Sequence, residues 1–457
     1  MISYSSKLYK ASPITIQEKI ISFRFLIRKL LREGSTFRTI YNEISKTQWM
    51  TREEISVYQR EKLSGILAHV RQVIPYYRDM LSDVSDDEFS QMDSVDLLRK
   101  LPILTKKTVV ENRDSLINPR HKGLKFKSAT SGTTGLSMVG FRDLFSINYE
   151  NAFIRRQLDW AGYISGQRRA WIRGDMIVPS DVNIPPYWRH NKADKMLMLS
   201  AYHLSESTIP AYIQMLENFD PYIIQAYPSA ISFLAEYLLS EGRQYRGKNL
   251  KGIVTSSEAL LPMQKASVEA AMKAKVFDWY GSFERTVAIG TCEHGSYHLL
   301  SDYSYVEYLP EDGDEVELIG SGFGNYLMPL FRYRVGDHVV LAGDSFRCPC
   351  GRAFPVVERV IGRVDDVIKT PNGKRIGMAI NILDGVGNIW EGQIVQDKLD
   401  EITINIVPNG VFAEENSLQL KAQAAALIGP DVTVNIKLVE SLPRTKNGKL
   451  RTVICNI

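Results

Sequence analysis

The sequence predicts an α/β fold in two parts, a large N-terminal domain with a helical N-terminal region and a small, mobile α+β C-terminal domain. Three observations predict it. Apolar residues recur at three-to-four spacing across residues 15–110, short β-rich runs divided by Gly, Ser and Pro fill residues 125–345, and alternating strands flank one helix after Gly362. A chain of 457 residues has room for two or three domains and a large core. With 44% apolar and 24% charged residues, wholesale disorder is excluded. The 56 Lys and Arg against 52 Asp and Glu leave +4, too near neutral for a protein built to neutralise phosphate backbones, so no nucleic acid is expected as a partner.

The first helical pattern joins Ile20, Ile21, Phe23, Phe25, Leu26, Leu30 and Leu31. Its basic face reads as solvated on a packed helix, with a membrane surface or a partner as the alternative. A second pattern runs from Glu54 to Leu81, capped by Thr51. Phe126–Thr130, Ala170–Ile172, Ile223–Tyr227, Gly252–Ser256 and Lys275–Trp279 read as buried strands, each ending in a polar or glycine-bearing loop. Such repetition of strand, loop and helix favours ligands bound at strand ends. Past Gly362, Glu401–Val407 and Asp431–Leu438 alternate either side of the helix Ser417–Ile428. The domain boundary is set between 362 and 363, because the charged run Gly362-Arg363-Val364-Asp365-Asp366 suits a hinge.

No apolar stretch reaches the roughly 18 residues of a spanning helix, since the best candidate, Ile20–Leu31, is interrupted by Arg24, Arg28 and Lys29. No signal-peptide pattern follows the polar run Ser3–Lys10, so a cytoplasmic protein without a transmembrane segment is expected. The four cysteines are too few for a disulfide scaffold. Oligomeric state is left open, a homodimer included.

The sharpest loop is Ser128-Ala129-Thr130-Ser131-Gly132-Thr133-Thr134-Gly135, placed after an expected strand. Gly132 and Gly135 let backbone N–H groups turn toward an anion, and the hydroxyls of Thr130, Ser131, Thr133 and Thr134 can bond phosphate oxygens. It is not a Walker A loop, and alone such a loop is more often a plain turn. It is followed in order by Tyr280-Gly281-Ser282-Phe283-Glu284, Tyr333-Arg334-Val335-Gly336-Asp337, the 362–366 run, and Pro443-Arg444-Thr445-Lys446-Asn447-Gly448-Lys449. With these segments the sequence resembles the adenylate-forming superfamily of acyl-CoA synthetases and adenylation domains. Leu101–Lys106, Gln225–Ala230 and Tyr280–Glu307 are similar to its phenylacetate-CoA ligase-like branch, especially members among capsular and surface polysaccharide biosynthesis proteins.

The resemblance implies roles that the residue chemistry supports. Tyr280 offers a flat face to adenine, Glu284 a hard oxygen ligand to the Mg2+ of nucleotide phosphates, Asp337 an acceptor for ribose hydroxyls, and Arg363 a donor nearby. The loop from Thr130 to Gly135 becomes the phosphate cradle. Lys449 becomes the catalytic residue, neutralising the approach of a carboxylate to the α-phosphate of ATP and the charge on departing pyrophosphate. Outside that context Glu284 and Asp337 read as solvated loop acids, and Lys446, Lys449 and Arg451 as a solvated basic end. Phe283 departs from the pattern, standing where many members have Thr or Ser.

Cys292 and His298, with Cys348 and Cys350 further on, have the composition of a closed tetrahedral structural zinc site. His294 competes for the fourth position. His298 is preferred, because it precedes the strand-like Tyr303–Leu309 and because the branch resemblance places a ligand there. The bland alternative is free buried thiols, and Cys455 stands unconnected.

The expected function is a ligase in two half-reactions: a small-molecule carboxylate and MgATP form an acyl-adenylate, and an acceptor, with coenzyme A first in line, displaces AMP. The resemblance implies that the small domain turns about Asp365, presenting Lys449 for the first step and the Lys369–Arg375 loop for the second. Tyr227, Pro228 and Trp279 are candidates for the acyl pocket. An amine acceptor, transfer of AMP itself, and a zinc-stabilised scaffold without activity are the alternatives.

Overall fold

The computed structural model describes residues 1–457 except 1–3, 5, 130–137, 180, 181, 183, 311–313, 344, 364–367, 372–374, 377, 378, 384 and 446–449, and except the side chains of 362, 363, 375 and 381. Helix Ile14–Arg32 buries Gln17 and Ile21. Ile21 joins Tyr9, Ile177 and Met198 in a small core cluster, and Gln17 Oε1 accepts from Arg189 Nε at 2.7 Å. Phe23 and Leu30 are 62% and 71% exposed, so the solvated face carries apolar as well as basic residues. Helix Arg52–Val73 starts on a reciprocal cap: the Thr51 hydroxyl accepts from Glu54 N at 3.2 Å and the Glu54 carboxylate from Thr51 N at 2.8 Å. The second helical pattern does not run on to Leu81. Pro75 lacks the N–H that would continue the ladder, the helix stops at Val73, and a separate helix Pro75–Met80 follows.

Strands are numbered along the chain: β1 (Phe126–Ala129), β2 (Val139–Arg142), β3 (Arg169–Arg173), β4 (Trp188–Asn191), β5 (Met196–Ser200), β6 (Ile223–Ala226), β7 (Gly252–Ser256), β8 (Lys275–Gly281), β9 (Ala288–Thr291), β10 (Tyr297–Leu299), β11 (Ser304–Pro310), β12 (Glu315–Gly322), β13 (Tyr333–Leu341), β14 (Val356–Arg363), β15 (Ile368–Lys369), β16 (Arg375–Ile376), β17 (Ile389–Lys398), β18 (Glu401–Pro408), β19 (Thr433–Leu438) and β20 (Val453–Cys455). The chain forms two units, one of Met1–Leu26, Ala161–Asp278 and Ile361–Ile457, the other of Ile27–Trp160 and Trp279–Val360. It passes from the first into the second within β8.

In the first unit, strands in the order β8-β7-β6-β3-β5-β4 make a sheet. Here β7, β6, β3 and β5 run parallel and β4 closes the edge antiparallel to β5. β5, β6 and β7 are buried throughout, which explains their unalternating apolar runs. Helices Ile209–Phe219, Pro228–Ser240 and Pro262–Met272 contribute Ile213, Leu216, Ile231, Leu234 and Val268 to one core with Ile172, Ile224 and Ile253. Arg173, Tyr227 and Ser257 therefore arrive at the carboxyl edge of this sheet, where doubly wound folds keep their ligands. A second sheet, β19-β18-β17-β20, packs Ile402, Ile404 and Ile406 with Leu420, Ala424 and Ile428 of helix Glu414–Ile428, the small α+β arrangement that the alternation predicts.

In the second unit the order is β11-β12-β13-β14-β10-β9, with Trp279–Gly281 of β8 beside β9. Helix Leu144–Trp160 buries Tyr149, Phe153 and Trp160 in a core shared with Leu63, Tyr77 and Phe331. Its Arg156 is fully buried but paired: it bonds both oxygens of Asp302, at 2.5 and 3.0 Å, and Thr47 bonds the same carboxylate at 2.6 Å. β1 differs from the sequence expectation. It is a half-exposed strand in a two-stranded antiparallel ribbon with β2, because Lys127 and Ala129 alternate outward with Phe126 and Ser128.

Candidate functional site

The site in the second unit grows from the turn that ends β8. Tyr280 and Gly281 are the last strand residues, Arg285 takes a left-handed φ of +59°, and the Ser282 hydroxyl accepts from Thr286 N at 3.2 Å. That turn projects Glu284, whose Oε1 accepts from the Tyr333 hydroxyl at 2.8 Å. Tyr333 opens β13, and four residues on lies Asp337, only 6% exposed and preceded by Gly336 with φ +77°. The Tyr280 hydroxyl donates to Asp337 Oδ2. An aromatic ring and a buried carboxylate thus stand side by side, one residue run away from a second carboxylate.

The β1–β2 ribbon is tied to the same turn. Arg142, at the end of β2, lies 4.7 Å over the Phe283 ring, donates to the Phe283 carbonyl at 2.5 Å and reaches Ser128 Oγ at 3.3 Å. Burial, and then the charge of Arg285, pushes its pKa down to about 10. A side chain at Gly140 would meet Phe283 at 3.2 Å, so glycine admits the ring there. Phe283, the residue that departs from the family pattern, is the platform for this contact. β1 ends at Ala129, directly before the expected cradle, but Thr130, Ser131, Gly132, Thr133, Thr134 and Gly135 lie outside the described residues. Arg363 ends β14 with its side chain undescribed, and Asp365 lies outside the described residues too.

Lys449 is likewise outside, yet its flanks are described, in the first unit. Arg444 and Leu450 form an antiparallel bridge that brackets it. Leu450 N donates to Glu258 Oε1 at 2.8 Å, and Glu258 Oε2 accepts from Ser229 N at 3.0 Å, so one carboxylate clasps this segment to the start of helix Pro228–Ser240. Arg444 also donates to Ser229 Oγ at 3.2 Å and pairs with Glu391. Tyr227 lies under Arg173, whose guanidinium is 5.2 Å from the ring and donates to Ser257 Oγ at 2.5 Å. Sequence reasoning missed Arg142, Arg173, Glu258 and Tyr333 as contributors. Tyr333 alone had a signal, being part of the Tyr333–Asp337 segment.

The cysteine cluster closes in the second unit. One ligand atom each from Cys292, His298, Cys348 and Cys350, all buried, lies within 4.8 Å of the others. Cys292 Sγ is 3.6 Å from Cys348 Sγ, and Cys350 Sγ is 3.3 Å from His298 Nε2. A tetrahedron with Zn–S bonds of about 2.3 Å has edges of about 3.8 Å, so the donors fit such a metal. Two glycine turns build it: Gly295, φ +83°, follows Cys292, and Gly351, φ +80°, follows Cys350. They aim the N–H groups of His294 and Arg352 at Cys292 Sγ and Cys350 Sγ. His294 thus contributes its backbone, while His298 contributes its ring. His298 Nδ1 faces the Phe354 carbonyl at 3.4 Å, which leaves Nε2 as the lone-pair nitrogen, and burial keeps the ring neutral by lowering its pKa to about 4. Burial pushes the Cys292 thiol up to about 12, the behaviour of a sulfur that ionises only beside a cation.

Residues 368–456 match the family described as the CapK C-terminal domain. Over 470 aligned residues, covering all of both chains, the sequence is 24% identical to Protein CapK of Staphylococcus aureus. It is 23% identical to a phenylacetate-coenzyme A ligase of Thermus thermophilus, across 89% of this chain and 97% of that one. Among solved structures, 2-hydroxyisobutyryl-CoA ligase in its postadenylation state superposes with a TM-score of 0.68 at 18% identity, across 90% of this chain and 92% of that one.

Proposed function

Because the chain belongs to the adenylate-forming superfamily, on its phenylacetate-CoA ligase-like side and close to CapK, we propose the following reaction for this ligase. A carboxylate oxygen attacks the α-phosphorus of ATP and pyrophosphate leaves, giving an acyl-adenylate. The thiol of coenzyme A then attacks the acyl carbonyl, and AMP departs with the bonding pair. Adenylation turns a poor leaving group into a good one.

The observation that carries the reading is the Tyr280–Asp337 hydrogen bond, which sets an aromatic face beside a buried carboxylate, the two groups a nucleoside asks for. Tyr280 stacks adenine, Asp337 accepts from the ribose hydroxyls and Arg363 donates nearby. Thr130, Ser131, Gly132, Thr133, Thr134 and Gly135 cradle phosphate. Mg2+, bound through Glu284, supplies charge neutralisation at the phosphates. Lys449, between Arg444 and Leu450, offsets the negative charge gathering at the α-phosphate. Cys292, His298, Cys348 and Cys350 hold a structural zinc whose closed ligand shell leaves no place for a reactive water. Residues 363–457 turn about Asp365 between the half-reactions, bringing the Lys369–Arg375 loop to the second. The reaction belongs in the cytoplasm, where ATP and coenzyme A are available.

The test is carboxylate-dependent ATP–pyrophosphate exchange over a panel of acids, with thioester products weighed by mass spectrometry. Lys449→Ala is expected to lower exchange by at least about 100-fold while ATP still binds. Exchange with no acid at all would refute the adenylation reading, and near-normal exchange in the variant would remove Lys449 from its role.

A further inference from the structure

Helix Ile14–Arg32 is held to the first unit along one side. Ile21 is buried beside Tyr9, Ile177 and Met198, Gln17 and Glu18 accept from Arg189 Nε at 2.7 Å and His190 N at 2.9 Å, and the Ser22 hydroxyl accepts from Lys192 N at 3.0 Å. Those contacts fix which way the helix faces. At about 100° per residue, Ile16, Ile20, Phe23, Ile27 and Leu30 fall on the opposite side, at alternating spacings of four and three. Ile16, Phe23, Leu26 and Leu30 are 40–71% exposed there, and Leu8, on the short helix Lys7–Ala11, is exposed as well. Single exposed apolar residues are ordinary, but a continuous row of them along one helix marks an interaction surface. Charge is just as unevenly placed. Residues 1–32 hold seven Lys and Arg against one Glu, whereas the other 425 residues hold 49 against 51 Asp and Glu. Lys7, Lys10 and Lys19 are exposed, and Lys19 borders the apolar row.

We propose that the outward face of helix Ile14–Arg32 docks on the surface of an anionic phospholipid bilayer. Phe23, Leu26, Leu30 and Ile16 enter the boundary between headgroups and acyl chains, and the lysines around them meet the lipid phosphates. No described helix is long and apolar enough to cross a membrane, so the contact lies in the interface. Charge decides between lipid and a second copy of this chain. A symmetric partner would set an identical basic segment against this one, and the two would repel, whereas an anionic surface attracts the apolar row and its charge together. The bonds from Gln17, Glu18 and Ser22 make the helix a fixed mount, so the protein keeps its fold as it docks. This surface stands apart from the reaction proposed above and does not depend on it.

Co-sedimentation of the full chain with vesicles tests the proposal, comparing phosphatidylglycerol mixed equally with phosphatidylcholine against phosphatidylcholine alone. Binding to the anionic vesicles is expected to be tighter by about ten-fold or more, an advantage that shrinks several-fold between about 0.1 M and about 0.5 M salt. Phe23→Asp and Leu30→Asp, each at an exposed position, should weaken that binding by about ten-fold while the melting temperature stays in place. Val411→Asp, at an 82% exposed apolar position outside the helix, should bind as the unaltered chain does. Equal binding to both kinds of vesicle, full binding by both helix variants, or the same loss in Val411→Asp overturns the proposal. Analytical ultracentrifugation adds the last outcome: a dimer that Phe23→Asp disperses, in a protein that binds no vesicle, gives the row to a second copy of the chain and overturns the lipid assignment.

Discussion

Glu284 receives the Tyr333 hydroxyl at 2.8 Å and makes no other hydrogen bond among the described residues. Glu284→Gln keeps the acceptor for Tyr333 and deletes the charge, so exchange should fall by about 100-fold or more while the melting temperature moves by no more than about 2 °C. A parallel loss of stability would make Glu284 a packing residue. Glu236 gives a second prediction, in pH. Its carboxyl is raised from 4.5 to about 8, so the folded state holds a proton that the unfolded chain has lost. Its contribution is complete below pH 4.5 and disappears as pH rises through 8. Thermal stability should therefore decline by several degrees between pH 5 and pH 9, and Glu236→Gln should flatten that slope; identical slopes would place the titration elsewhere. At this scale the sequence singled out Tyr280, Glu284 and Asp337, because they sit in contiguous segments with chemically telling neighbours, and the structure sets Tyr280 beside Asp337 and joins Glu284 to Tyr333. Arg142 and Glu258 were illegible, since they act on partners 141 and 192 residues away, and no local spacing encodes such a meeting.

Single elements were legible where local chemistry decides them. Thr51 and Glu54 announce a helix start, the isoleucines at 402, 404 and 406 announce a half-buried strand, and Pro75 ends the helix that apolar periodicity alone would continue. β1 misled because a short run of mixed residues reads the same in a buried strand and in a ribbon; only its partner distinguishes them. The cysteine cluster belongs to this scale too, because it staples the turn after β9 to the segment before β14. A zinc ion held there would join Cys292 to Cys348, 56 positions apart, and so remove loop entropy worth about 4 kcal/mol from the unfolded chain. Cys348→Ser should lose one equivalent of zinc by elemental analysis and lower the melting temperature by about 5–10 °C, with exchange intact at permissive temperature. Protein that contains no metal before mutation would leave the thiols as core residues, and selective loss of turnover would mark the ion as catalytic.

For the molecule as a whole, composition and texture were enough to anticipate an α/β body and a small α+β part, but the division into units was beyond them. Contacts join Met1–Leu26 and Ile361–Ile457 to residues from the middle of the chain, and sequence order hides that. The turning of the small domain is testable at Asp365. Asp365→Pro fixes φ and removes a backbone donor, so one half-reaction should suffer at least about ten-fold more than the other. Adenylation is expected to survive and thioester formation to stall, visible as a single burst of pyrophosphate; equal losses would make Asp365 merely structural.

The clasp on Glu258 has a consequence for how this protein can change over generations. One carboxylate grips Ser229 N and Leu450 N at once, and Arg444, across the bridge, grips Ser229 Oγ. Both ends of the segment carrying Lys449 are therefore pinned to the same helix start, and its length is not free to drift. A residue added at the turn after β18, by Asn409 and Gly410, is absorbed by solvent. One added between Arg444 and Leu450 shifts the register of everything between two fixed pegs, so insertions and deletions should be purged there even in lineages whose substrates have long since diverged.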